Sequence, residues 1–107
     1  MNNVELMTVE DRFVILSRGV VLIPDFPVPR QWTDRTEPVT IVSPNGNRIS
    51  VSVMFMLTHY SYAEPRPGQS WRIVILVPDL AKEDIPIGSV VFTAPETRDL
   101  LAPEPAA

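Results

Sequence analysis

The chain has 107 residues with 12 Pro, 4 Gly, no Cys, 45% hydrophobic and 21% charged residues, a length for one small domain. Prolines this frequent exclude a helix bundle, the apolar content excludes a disordered chain, and the lack of cysteine excludes a disulfide framework, a thiolate metal site and a cysteine nucleophile. A net charge of -4 opposes a surface that neutralises many phosphates, so general nucleic-acid binding is not expected.

The opening MNNVELMTVEDRF lacks the basic and then apolar pattern of a signal peptide, and no apolar run approaches the ~18 residues needed to span a bilayer. The expectation is a cytoplasmic protein without membrane contact. The first proline-free stretch, VELMTVEDRFVILSRGVVLI, reads as two strands split near Arg18-Gly19, because an isolated glycine in a strand pattern marks a bulge or bend. From Pro24 to Pro38 the chain is a proline-rich, extended loop, with Phe26, Val28 and Trp32 as candidates for folding back onto the body.

Residues 38 to 57 read as a β-hairpin. Ser43-Pro44-Asn45-Gly46-Asn47 is a turn whose Asn-Gly pair tolerates positive φ, and it separates Val39, Ile41 and Val42 from RISVSVMFMLT. In that second run Ile49, Val51, Val53, Phe55 and Leu57 share one parity, while Ser50, Ser52, Met54, Met56 and Thr58 share the other. This is the period of a strand with one buried face. A second long loop, 58–70, follows; Trp71 to Val77 is a nearly continuous apolar strand, and Ser89 to Thr93 is the last. About six strands in an all-β chain predict a small closed antiparallel barrel over residues 1–94, with an open sandwich as the alternative. Residues 95–107, acidic and rich in Pro and Ala, read as a flexible tail.

Two segments resemble the second, β-barrel domain of elongation factor Tu and related translational GTPases. Val9-Glu10-Asp11, Phe13, Ile15, Arg18-Gly19 and Val21 match that domain's opening V-E-D-x-F-x-I-x-G-R-G-x-V pattern, and Lys82-Glu83-Asp84-Ile85 with Gly88 and Val90 matches its closing motif. Val39 to Val42 and Val53-Met54-Phe55 fall where the family has two further strands. The resemblance implies a six-stranded barrel over about residues 8 to 94. It makes Arg18, Gly19, Glu83, Asp84 and Gly88 structural: a kink at Gly19, a positive φ at Gly88, and a turn at Glu83-Asp84 where a carboxylate accepts backbone N–H groups. In the family this barrel helps hold the acceptor end of aminoacyl-tRNA through polar side chains beside the V-x-M-F strand. Here the flanking Val53 and Met56 are apolar, so those contacts are missing, and no G-x-x-x-x-G-K-S/T loop is present to bind GTP.

No convincing catalytic constellation is legible. The one histidine, His59, has only Ser61 and Glu64 beside it in sequence; Glu10-Asp11 and Glu83-Asp84 are accounted for by turn and strand chemistry, and no metal-ligand spacing exists. We therefore expect neither an enzyme nor a cofactor. Met54, Met56, Tyr60, Tyr62, Arg66 and Trp71 form the candidate interaction surface, since methionine, aromatic residues and Arg are common at binding hot spots. The competing expectation is that the Pro24–Pro38 excursion covers the methionines and makes them ordinary core. The expected function is a non-catalytic module that contacts a protein partner or itself; the alternative is a translation accessory that contacts the ribosome, tRNA or an elongation factor.

Overall fold

The computed structural model describes residues 3–29, 31–59 and 71–101. Seven strands form: β1 (Val4–Thr8), β2 (Asp11–Ile15), β3 (Gly19–Phe26), β4 (Arg35–Val42), β5 (Arg48–His59), β6 (Trp71–Val77) and β7 (Val90–Thr93). They make one antiparallel sheet in the order β1-β7-β4-β5-β6-β3-β2, curled into an open half-barrel.

The two edge strands of this order are consecutive in sequence, joined only by Val9 and Glu10. At this joint the chain changes partners. The Val9 N–H donates to the Ser89 carbonyl at 2.7 Å and its carbonyl accepts from Gly88 N–H at 2.8 Å, while the Glu10 N–H donates to the Ile23 carbonyl on β3 at 2.8 Å. The expected closed barrel of six strands is thus replaced, among the described residues, by seven strands with no ladder between β1 and β2. The extra break carries neither Gly nor Pro, so nothing local announces it.

Strand chemistry explains the rest of the sheet. The 38–57 hairpin forms as expected, with Val42 opposite Arg48 and Arg35 opposite Phe55; its turn closes with Gly46 N–H donating to the Ser43 carbonyl at 2.8 Å. Pro24 falls within β3, where the ladder to β6 loses register between Leu22 and Phe26; proline has no N–H to give it. Every strand except β2 sends residues into one main core. Leu22, Val53, Phe55, Ile41, Ile73, Ile75, Val77 and Val91 build the main core with Ile85, which descends from the loop before β7. Gly88 takes φ +92°, and the Asp84 carboxylate accepts the Ala81 N–H at 2.8 Å, both as the turn chemistry of that segment led us to expect. Arg12 ties β2 to the same loop, its Nε donating to the Ile85 carbonyl at 2.8 Å.

Two segments differ from their expected irregularity. Pro95–Leu101 is a helix, α1, which opens on a proline pre-set for a first helical turn and buries Leu101 in the core. The expected loop from Pro24 to Pro38 is shorter, because β3 runs to Phe26 and β4 starts at Arg35; Phe26 and Trp32 pack on the main core as expected, whereas Val28 stays exposed. Asp34 fastens the loop, accepting the Leu57 N–H at 2.8 Å and the Trp32 indole N–H at 2.9 Å. Asp34→Ala is expected to lower stability by about 1–2 kcal/mol, read as a lower urea midpoint at unchanged slope.

Candidate interaction face

Residues opposite each other in a ladder share a face, so the register shows what each side of the sheet presents. On the outer side Phe13 stands opposite Val21, Val21 opposite Leu76, and Leu76 opposite Met54. One apolar row therefore crosses four strands, β2, β3, β6 and β5. Beside it Met56 stands opposite Val74. Val21, Val74 and Leu76 are almost fully buried, with Ile23, Met54 and Met56 half-buried against them, which makes a second small apolar cluster on the outside of the sheet.

The row ends where the sequence begins to alternate. On β4 and the first half of β5 the outward positions pair Thr40 with Ser50, Pro38 with Ser52 and Thr36 with Met54, a solvated surface. On β6 all of Ile73 to Val77 are apolar and buried, so both of its faces must be covered. The inner one is covered by the core. Among the described residues, the outer one is covered by the neighbouring side chains alone.

A groove of about 130 Å³ lies along this strip. Val21, Val74 and Leu76 form its floor, Met56 and Thr58 one wall, and Phe13 and Ile15 the other, with Arg18 at the rim. Phe13 and Ile15 are 42% and 38% exposed, which is high for large apolar side chains on a strand. Arg18 is the one charged residue lining the groove among the described residues, and its guanidinium donates across the opening to the Met56 sulfur at 3.8 Å. At the other end Arg72 and Asp25 form an ion pair at 3.0 Å between β6 and β3.

The structure sorts the residues picked out from the sequence. Met54 and Met56 stand together on the outer face, as their shared parity required. The excursion does not cover them among the described residues, since Phe26 and Trp32 turn into the opposite, inner side. Trp71 is separated from the methionines: it stands opposite His59, on the parity of Phe55 and Ile75, with its ring 4.7 Å from the imidazole and tilted 55°. Tyr60, Tyr62 and Arg66 lie outside the described residues. The floor residues Val74 and Leu76 and the wall residues Phe13 and Ile15 were not picked out. Their signal was the unbroken apolar run of β6, which a strand with one solvated face does not need. Comparison with known protein families, with curated proteins and with solved structures finds no match to this chain.

Proposed function

We propose that this protein is a non-catalytic binding module and that a partner protein sits on the outer apolar strip of β2, β3, β6 and β5. The observation that carries the proposal is the row Phe13, Val21, Leu76, Met54, an apolar face that no further element covers among the described residues, with a groove beside it. Apolar patches of this kind mark interaction sites because covering them releases water without any strong directional requirement. Methionine suits such a surface, being unbranched and able to re-pack against different partners.

Met56→Asp places a charge on the strip without entering the main core. It is expected to leave the fold intact and to weaken partner binding at least about tenfold, equivalent to about 1.4 kcal/mol. The check is affinity capture from the native host by wild type and variant, followed by the dissociation constant of the captured protein with both; equal affinity would reject the strip as the contact.

A translation accessory built on a domain-2-like barrel is the second reading. It is supported by the turn between β2 and β3 at Gly19, by the positive φ of Gly88 and by the Asp84 turn, features that the resemblance to translational GTPases led us to expect there. Under this reading the chain would co-sediment with ribosomes at about 50 mM salt and be released by about 200 mM; the net charge of -4 makes that binding weak, and failure to co-sediment at either salt would remove the reading.

A further inference from the structure

We infer that the outer groove takes one large apolar side chain from an extended segment of a partner protein, with an Asp or Glu beside it that pairs with Arg18. This deepens the binding-module proposal and rests on it. Three features of the groove specify the ligand.

The floor, Val21, Val74 and Leu76, offers no polar group, so the part that enters must be apolar. The volume, about 130 Å³, sets its size. A closed cavity of about 150 Å³ with similar lining holds a benzene molecule, so the groove holds one Phe, Leu or Met side chain and is too short for a long acyl chain. The rim supplies the charge. Arg18 is exposed, and the acceptor its guanidinium meets in the described structure is the Met56 thioether sulfur, a weak one. A carboxylate is a far better acceptor for a guanidinium, which can offer it two parallel N–H donors. Among the described residues no carboxylate lines the groove to compete, and the basic residue at its far end, Arg72, is already paired with Asp25. A flanking Lys or Arg on the partner would face Arg18 unfavourably, so the charge also selects against basic segments.

The test uses the full chain labelled with ¹³C at the methionine methyls and titrated with 3-phenylpropionate, 3-phenylpropan-1-ol and 3-phenylpropylamine. The Met56 methyl should shift while that of Met7, 6% exposed in the main core, stays. The carboxylate should bind about fivefold more tightly than the alcohol, as expected for one exposed charge-assisted contact of about 1 kcal/mol, and the amine most weakly. Arg18→Gln should abolish the preference for the carboxylate and leave the alcohol unchanged. Equal affinity for the three probes, a preference that survives Arg18→Gln, or a still Met56 methyl would each overturn the inference. So would dodecanoate binding more than about tenfold tighter than acetyl-Phe-Glu-amide, which would assign the groove to an acyl chain. If Met56→Asp loses the captured partner while Arg18→Gln is silent throughout, the inference falls and the binding module stands; if Met56→Asp keeps the partner at full affinity, the binding surface itself is misplaced.

Discussion

Truncating Phe55 to alanine should destabilise the protein by about 3–5 kcal/mol, the largest loss expected from any single side-chain deletion here. Phe55 is fully buried on β5, the longest strand at 12 residues, and stands between Arg35 of β4 and Ile75 of β6. Neighbouring strands pin its backbone on both sides, so the space left by the ring cannot close by strand movement. The cost therefore includes the cavity as well as the lost transfer energy. A domain this small has a total stability of about 5–10 kcal/mol, so the variant should be close to unfolded at 37 °C. Phe55→Leu, which keeps most of the volume, should cost less than half as much. Urea midpoints for the two variants check this, and a loss below about 1 kcal/mol for Phe55→Ala would place the ring outside the core.

Gly19→Ala should cost about 3 kcal/mol, more than its single methyl suggests. Gly19 adopts φ +137°, a conformation that L residues with a Cβ rarely take. A Cβ there would also run into the Val77 carbonyl oxygen, with the Pro78 Cα at 2.8 Å. Both obstacles are backbone atoms, which cannot rotate away. Gly46 provides the comparison, since it has φ +92° with nothing within 4 Å of a Cβ. Its alanine variant faces the conformational penalty alone, about 1 kcal/mol. Measured side by side, the two variants separate strain from steric exclusion; equal losses would mean that β3 approaches the end of β6 less closely than the structure has it.

The parts of the fold that were legible in the sequence were those where local chemistry and tertiary packing demand the same residues. The alternation from Ile49 to Leu57 gave β5 its two faces, and Asn45-Gly46 placed its turn. The break after Thr8 was not legible because it is set from outside: Val9 and Glu10 answer to hydrogen-bond partners on Ser89, Gly88 and Ile23, far away in the chain. The helix Pro95–Leu101 was hidden for a similar reason. Seven residues of modest helix propensity are stabilised by burying Leu101, a tertiary effect that composition does not show.

For the candidate site the sequence supplied Met54 and Met56 by parity but assembled the wrong neighbours around them. Proximity in the chain suggested Trp71, yet a period of two puts Trp71 on the face of Phe55 and Ile75, where it stays 52% exposed at the start of β6. The true neighbours come from β2, β3 and β6. Finding them requires the strand order, and the order β5-β6-β3-β2 follows from long-range pairing that no motif records.

The central claim is that the strip carrying Met54 and Met56 is open to a partner in the free protein. The most direct measurement is the broadening of ¹³C-methyl methionine signals by a dissolved nitroxide such as TEMPOL, which acts on methyls that solvent can reach. Met54 and Met56 should broaden markedly, while Met7, sealed in the main core, should be spared. If Met54 and Met56 prove as protected as Met7, the strip is already covered in the free protein, and the account of it as a binding face is contradicted.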